Sequence, residues 1–582
     1  VAVEENNYSQ DDTVSLGRAS VEDIRNSRSR LFVVSGMFIF VFMALIFRLI
    51  EVSVFKGGKV FTVKSYDEFY DDDIKTRADI TDRNGTLLAV NLSTASLYAN
   101  PKVILDIDDA VKKVSAIFPE TDAASLKSKL SSDKHFVWIK RNLTPKEQYK
   151  INELGLPGLY FKEEEKRIYP HKNLMSHILG FVDVDGKGIS GIERKFNTYL
   201  SGSNNIGGVN EALQLSVDIR VQSVVRDVLS DAMEEFKALG AAGIVLDADT
   251  GEVISMVSMP DFNLNNPGDA DHDAKFNRAT YGVYEMGSTF KVFNMALGFE
   301  KNNLKLKDIF DVSEPIKVAR FTIRDYHQKK KELTASEVFM FSSNIASVQI
   351  AVDAGEEAQR EFLGRLGLLD ELEIEIPEKS EPLYPDNWGK VSAVTISYGH
   401  GIAVTPMHVA SATAALVNGG VLNPVTLLKK SRFSFLNSGV RVVQEDTSDK
   451  IRKIMRLAVK HGTGKNSDVE GYLVGGKTGS ADKPKEGKYN TKVNISSFVS
   501  AFPMNEPKYV VLVMMDEPVG NAKTGGFTTG GMVAAPVAGE VIKRIAPILG
   551  VTPVDENDYE IQKEFWYDNE RDKQQVAITA VE

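Results

Sequence analysis

Ser288 and Lys291 stand three residues apart in Tyr284-Glu-Met-Gly-Ser-Thr-Phe-Lys291. Gly287 is a natural break in the chain, and Phe290, Phe293 and Leu297 then recur at helical intervals. The pattern predicts a helix with Ser288 at its N-terminus and Lys291 one turn along on the same face. Free N–H groups and the helix dipole at that end favour developing negative charge. A lysine stripped of water is driven toward its neutral form, which can take the hydroxyl proton. The chemistry on offer is nucleophilic catalysis through serine.

The spacing alone is weak, because S-x-x-K begins at Ser53, Ser131, Ser288 and Ser480. Two further clusters narrow the choice. Ser342-Ser-Asn344 offers a hydroxyl and an amide, although S-x-N also occurs at Ser203-Asn-Asn205. Lys477-Thr-Gly479 places a cation and a small residue on a predicted strand, although Lys523-Thr-Gly525 repeats the tripeptide in a Gly-rich loop. The first copy, within Gly475-Gly-Lys-Thr-Gly-Ser480, is preferred because it precedes a predicted hairpin. Order separates signal from accident: Ser342 follows Ser288 by 54 residues, and Lys477 follows Ser342 by 135.

These residues need a scaffold to bring them together. Leu213, Leu215, Val217 and Ile219 alternate as in a half-buried strand, and Val221, Val224, Val225, Val228 and Leu229 then follow helical spacing. Residues 243–247 and 252–257, joined by a turn at Asp249-Thr-Gly251, predict an antiparallel hairpin. A second hairpin is predicted from residues 497–502 and 509–515. Helical periods dominate the stretch between them, which predicts one mixed sheet assembled from the two ends of the segment. Upstream, Asn84-Gly85 is a strong hairpin signal. The small polar cluster at residues 201–208 reads as a connection between domains. Beyond residue 550 periodicity is lost, and a mobile polar tail is expected.

The chain has 582 residues, enough for several domains' worth of material and at least one large core. Hydrophobic residues make up 43% and charged residues 26%, which excludes wholesale disorder. A net charge of −11 argues against a nucleic-acid partner. The absence of cysteine removes disulfides, thiolate metal sites and a cysteine nucleophile together. Residues 31–50 are apolar except for Arg48, and twenty helical residues span about 30 Å, the thickness of a bilayer core. Arg25, Arg28 and Arg30 precede them, so residues 1–30 are expected in the cytoplasm. A cleaved signal peptide or a buried helix fits less well, because the run is long and no small-residue cleavage site comes after it.

Taken together, the ordered motifs resemble those of penicillin-binding proteins and class A β-lactamases. Tyr284–Lys291 is similar to the corresponding stretch of division-specific class B penicillin-binding proteins, the septal peptidoglycan transpeptidases of the FtsI type. Met286 stands where that family usually has Pro, Ser343 replaces the Asp of S-D-N, and His400 stands where Gln is common. Further matches are Arg77, Asp82-Arg-Asn-Gly85, Ser190-Gly-Ile-Glu193, Thr250-Gly-Glu252, Asn277-Arg278, Ser397-Tyr-Gly-His-Gly401, Thr405-Pro406 and Ala535-Pro536. The similarity covers roughly residues 30–550, the motifs lying in the strand and helix contexts that they require.

The resemblance implies an α/β protein whose transpeptidase domain, an antiparallel sheet flanked by helices, spans residues 211–550. Before it come a cytoplasmic tail (1–30), a membrane helix (31–50) and a mixed, non-catalytic pedestal (51–210); after it comes a tail (551–582). The catalytic domain is expected outside the cytoplasm of a bacterial inner membrane. Ser288 would attack the penultimate D-alanine of a peptidoglycan stem peptide, with Lys291 as general base. Ser342 would relay protons, Asn344 would hold Lys291 and the substrate amide, and Lys477 would set the electrostatics of the relay. Thr478 and Ser480 would bind the terminal carboxylate beside Gly479, and the N–H groups of Ser288 and Ser480 would form the oxyanion hole. No cofactor or metal is implied. The expected partners are stem peptides as donor and acceptor, β-lactam antibiotics, a membrane glycan polymerase and other division membrane proteins.

Other residues read more plainly. Asp325 and His327 read as a solvated loop that could line the cleft, His400 as structural, and residues 162–167 as a charged solvated face. Competing functions are an elongation-type transpeptidase, a hydrolytic relative and a drug-sensing scaffold. Between Asn344 and Lys477 no match to the deacylating Glu of class A β-lactamases is found, which disfavours hydrolysis. The topology is testable: a reporter that works only outside the cytoplasm should be active when fused after residue 60. Activity of a cytoplasm-only reporter there would reverse the orientation.

Overall fold

The computed structural model describes residues 35–46, 76–202, 211–319, 321–326, 330–430, 439–485 and 488–565, in two compact units, Val1–Ile74 and Lys75–Glu582. In the first unit the described residues 35–46 are helical, with Met37, Phe38, Phe40 and Phe42 each at least 65% exposed. Among the described residues no helix is long and apolar enough to cross a membrane. The remainder of the expected span, with residues 1–30 and 51–75, lies outside them.

The second unit begins with a five-stranded sheet of Val137–Leu143, Leu87–Ala99, Ile80–Thr81 and Leu213–Gln214 in that order, Leu159–Ile168 also pairing with Leu87–Ala99. The expected hairpin at Asn84-Gly85 is present, with Ile80 opposite Ala89. Asp82 closes it by accepting the N–H groups of Asn84 and Thr86, both at 2.8 Å, and Gly85 takes a φ of 89° that suits glycine. The tip of this turn is wedged against three points further along the chain. Arg83 N–H reaches the Val217 carbonyl at 2.9 Å, its guanidinium reaches Glu252 at 3.2 Å, and the Asn84 amide reaches Asp218 at 3.0 Å.

One buried carboxylate organises this half. Glu193 is fully buried and accepts from Arg77 and Arg167, in each case from Nε at 2.7 Å. Arg167 therefore departs from the solvated face expected for residues 162–167. The strand Leu159–Ile168 turns Lys162 and Lys166 outward, while Arg167 points in toward Glu193. Three charges are removed from water here, and their mutual bonds offset that cost.

Downstream, a second sheet runs in the order Gly475–Lys485, Lys488–Phe502, Tyr509–Asp516, Gly240–Asp247, Val253–Met259. Both expected hairpins are present, and Tyr509–Asp516 pairs with Gly240–Asp247, joining the two ends of the segment. The expectation of a mixed sheet needs correction, because every pairing in it is antiparallel. Alternation along the strands divides the core in two. Val511, Val513 and Met515 face the helices Ile219–Phe236 and Ala534–Ile548, whereas Val510, Leu512 and Met514 face Lys291–Lys301, Pro406–Val417 and Glu445–Lys460. Because both faces are covered, these strands read as unbroken apolar runs.

Two boundaries differ from expectation. The strand forecast over residues 213–219 stops at Gln214, because Asp218 caps a helix that already includes Ile219. Residues 551–565 do not form a free tail. Tyr559–Phe565 is helical with Phe565 buried, and Glu556 binds Arg456 and Lys460 at 2.9 and 3.0 Å. Residues 203–210 and 566–582, and with them most of the expected connection, lie outside the described residues. Replacing Glu193 with Gln would leave two buried guanidinium groups around a neutral amide. The full chain should lose about 3–5 kcal/mol in denaturant unfolding, a loss that a purely surface pairing would not produce.

Candidate active site

The turn that carries Ser288 is built on glycine contacts. Residues Gly287–Phe290 form a 3-10 turn that runs into the helix Lys291–Lys301, so the expected helix start is tighter than an α-turn. Gly287 has a φ of 53°, and a Cβ added there would lie 2.5 Å from the Ser480 carbonyl oxygen. A Cβ on Gly399 would come closer still to the Gly287 carbonyl, whose own N–H donates to Gly399 at 3.2 Å. Three backbone segments thus meet at a separation that side chains would forbid. Ser288 is half-buried between them, and its hydroxyl makes no hydrogen bond to any described residue.

Lys291 is 1% exposed. Its Nζ donates to the Ser342 carbonyl at 2.6 Å, to Asn344 Oδ1 at 2.6 Å and to Ser342 Oγ at 3.1 Å. Ser342 ends the helix Ala335–Phe341 in the left-handed region with a φ of 61°, which aims both its carbonyl and its hydroxyl at the lysine. Asn344 opens the next helix, Asn344–Ala354, and Asn294 Nδ2 donates to the Ser347 carbonyl at 3.0 Å, tying this helix to Lys291–Lys301.

Lys477 arrives from the opposite side, on the edge strand Gly475–Lys485 with Val499 as its partner. It is fully buried, and its Nζ donates to Ser342 Oγ at 3.0 Å and to the Thr478 carbonyl at 3.1 Å. One serine hydroxyl therefore lies between two lysines.

Burial decides their charge. Removal from water pushes Lys291 down to about 7, against the opposing pull of the Asp325 carboxylate. Burial also lowers Lys477, and the neighbouring Lys291 lowers it further. A neutral Lys291 has two N–H bonds and one lone pair. The Ser342 carbonyl and Asn344 Oδ1 have no hydrogen to give, so they occupy the two N–H bonds. The lone pair is left for a hydroxyl proton, which is the requirement for a general base.

The carboxylate-binding residues inferred from the resemblance lie next to this network. Thr478 is buried and its hydroxyl pairs with that of Thr463 at 2.9 Å. Ser480 Oγ accepts the Gly530 N–H at 2.9 Å. Gly479 is required where it stands, since a Cβ there would lie 2.5 Å from the Met286 carbonyl. Among rejected motif copies, Ser131 caps an exposed helix end of the first sheet domain, and Lys523 is 81% exposed against Glu235. Ser53 and Ser203 lie outside the described residues. A cavity of about 610 Å³ opens on another flank of Asn344–Ala354, beside Val348 and Val352, and shares none of these side chains.

Two contributors were missed. Thr463 comes from the loop after Glu445–Lys460 and carries no motif signal of its own. Asp325, read as part of a solvated loop, binds the start of the Asn344 helix instead, with Ser343 Oγ donating to Oδ2 at 2.7 Å. Its place straight after an Arg in an otherwise polar stretch gave no sign of that. His327 lies outside the described residues.

An uncommitted serine hydroxyl at a helix start, with a buried amine and a shared serine hydroxyl behind it, supplies the groups that serine acyl transfer requires, on a three-layer α/β/α fold. The penicillin-binding protein transpeptidase domain matches residues 241–543, and the penicillin-binding protein dimerisation domain matches residues 74–212. The chain is 39% identical over 545 residues to the probable peptidoglycan D,D-transpeptidase FtsI of Caulobacter vibrioides, covering 92% of this chain and 91% of that one. It is 30% identical over 506 residues to the probable peptidoglycan D,D-transpeptidase PenA of Neisseria meningitidis, covering 82% and 85%. Its fold is similar to a peptidoglycan synthetase from Bifidobacterium adolescentis, with a TM-score of 0.65 at 23% identity, over 84% of this chain and 98% of that one. The chain belongs to the class B penicillin-binding proteins, the FtsI-type peptidoglycan D,D-transpeptidases.

The depressed Lys291 sets a pH dependence. Acylation by a β-lactam should fall about tenfold per pH unit below about pH 7, as the base gains a proton, and level off above it. Stopped-flow acylation rates across roughly pH 5–9 check this. Lys291→Met should abolish the reaction while the melting temperature stays level or rises, because a buried amine is replaced by an apolar chain.

Proposed function

We propose that this protein cross-links peptidoglycan stem peptides during septal cell-wall synthesis, through an acyl-enzyme on Ser288. The observation that carries the reading is the Lys291–Ser342–Lys477 network behind an uncommitted Ser288 hydroxyl. Ser288 Oγ bonds to the carbonyl carbon of the penultimate D-alanine while its proton passes to Lys291. The N–H groups of Ser288 and Ser480 receive the oxyanion, each such donor being worth about 3–4 kcal/mol. The intermediate then collapses by breaking the C–N bond to the terminal D-alanine, whose amine takes a proton through Ser342. An amine of a neighbouring strand attacks the resulting ester, forms the cross-link amide and returns the proton to Ser288.

Position on the sheet supports the assignment of the substrate strand. Gly475–Lys485 is an edge strand, so its outer N–H and C=O groups can pair with an extended peptide. Thr478 and Ser480 lie on it, in reach of the peptide's terminal carboxylate. Lys477, held between Ser342 and Thr478, lends positive potential to the proton relay.

The remaining parts take supporting roles in this reading. Residues 31–50 anchor the chain in the inner membrane, with residues 1–30 in the cytoplasm and the rest in the periplasm; the apolar run and the arginines before it support this. Residues 51–210 act as a pedestal that positions the domain of residues 211–550 and contacts partners. A membrane glycan polymerase and other division proteins are the partners.

Intact-mass and peptide analysis after exposure to penicillin should place the adduct on Ser288, with Ser288→Ala unlabelled but folded. An adduct on Ser53, Ser131 or Ser480 would overturn the choice of motif. The adduct should outlast a cell cycle, since no match to the deacylating Glu of class A β-lactamases lies between Asn344 and Lys477; rapid release of hydrolysed penicillin would make the protein a hydrolase. Depletion should give unseptated filaments, whereas round swollen cells would move it to the elongation machinery.

A further inference from the structure

We infer that Asp325 is a positioning residue of acyl transfer: its carboxylate holds the loop that presents Ser342 and Asn344 to Lys291 and places a negative charge beside that lysine. The inference rests on the transpeptidase reading of the site and extends it to a residue outside the three motifs.

The geometry is specific. Asp325 Oδ1 accepts the Asn344 N–H at 2.6 Å and the Ile345 N–H at 3.0 Å, and Oδ2 accepts the Ser343 hydroxyl at 2.7 Å. Ser343 Oγ in turn accepts the Ala346 N–H at 3.1 Å, capping the helix from within. The open N–H groups of the first turn are thus taken up, two of them by a charged acceptor where the helix dipole strengthens the bond. The preceding residue contributes as well. Its carbonyl, that of Arg324, accepts from Asn344 Nδ2 at 3.1 Å. That bond leaves the other end of the amide, Oδ1, turned toward Lys291.

Ser342 explains why such a clamp matters. A non-glycine residue with a φ of 61° holds that conformation only when both flanks are fixed. One flank is the end of Ala335–Phe341, where Ser343 N–H returns to the Val338 carbonyl at 2.9 Å. The other flank is the Asp325 clamp. Were the clamp released, Ser342 could relax and carry away both its carbonyl and its hydroxyl, two of the three groups that hold the lysine amine.

Charge acts in parallel with position. Among the described residues the charged groups facing Lys291 are Asp325 from this segment and Lys477 from the edge strand; the helices Ala335–Phe341 and Asn344–Ala354 present neutral Ser342 and Asn344. Asp325 favours the ammonium form of Lys291, opposing the burial that favours the amine.

The test measures the second-order acylation rate of the full chain by a fluorescent penicillin against pH, with the adduct mapped and the melting temperature recorded. Asp325→Asn should slow acylation by about tenfold to a hundredfold, the usual cost of a small misplacement. Its rising limb should also move to lower pH, because the charge that favoured the ammonium form is gone. Ser343→Ala keeps that charge and removes one tether, so the rate should fall with the limb unmoved. A slowed Asp325→Asn with an unmoved limb would leave only a helix cap and overturn the inference, as would a wild-type rate. If Asp325→Asn does not fold, Asp325→Glu replaces it: slowing with an unmoved limb supports the clamp, and a wild-type rate overturns it. Failure of the wild type itself to label on Ser288 would overturn the transpeptidase reading and this inference with it, so the two failures are told apart.

Discussion

Two lysine amines buried against one serine hydroxyl are the constraint on which this structure turns. Lys291 and Lys477 both lose their water, and among the described residues neither gains a carboxylate within salt-bridge distance in exchange. Uncharged oxygen atoms take the place of water: two carbonyls, one amide oxygen and the shared Ser342 hydroxyl. Such an environment holds an amine in place without locking it in its charged form. A protein selected for stability alone would fill the space with apolar side chains. Retention of two amines there, in reach of an uncommitted serine, is intelligible as preparation for proton transfer.

Holding that arrangement requires rigidity from three directions. The helix Lys291–Lys301, the Ser342 loop and the edge strand come from widely separated parts of the sequence. Each belongs to a different element packed on one face of the antiparallel sheet or forming its edge. Glycines let the backbones approach: Gly287 against Ser480, Gly399 against Gly287, Gly479 against Met286. The Asn294 bond to Ser347 and the Asp325 clamp then restrain the helix Asn344–Ala354, which follows Ser342. Precision at the site is a property of this packing and not of any single motif.

The first sheet domain adds its own order. Glu193 gathers Arg77 and Arg167, and the neighbouring Gly191 N–H reaches the carboxylate of Glu378 in the catalytic half at 3.1 Å. The Asp82–Gly85 turn inserts Arg83 and Asn84 toward Glu252 and Asp218. Asp82–Gly85, Ser190–Glu193 and Thr250–Glu252 thus acquire a common reason: they join the first sheet domain to the transpeptidase domain, while Arg77 braces Glu193 within the first.

Much of this was legible in the residues. Short-range physics marks a hairpin at Asn84-Gly85, two strand pairs of alternating or unbroken apolar residues, and a serine at a helix start with lysine one turn on. Such signals need only neighbours along the chain, so the sequence by itself determined the strand pairs, the turn that carries Ser288 and, through motif order, which copies of the duplicated motifs lie together in the fold. What it could not determine was which distant groups would share a hydrogen bond. Residues 551–565 read as a tail because their anchors, Arg456, Lys460 and Gly471, lie about a hundred residues upstream. Asp325 read as solvated because the three groups that it binds become donors only once a second helix starts beside it. Likewise the depressed charge of Lys291 depends on burial, and burial is set by the whole three-layer core. Tertiary structure decided these points because hydrogen bonds and desolvation act through distance in space, which spacing along a chain does not record.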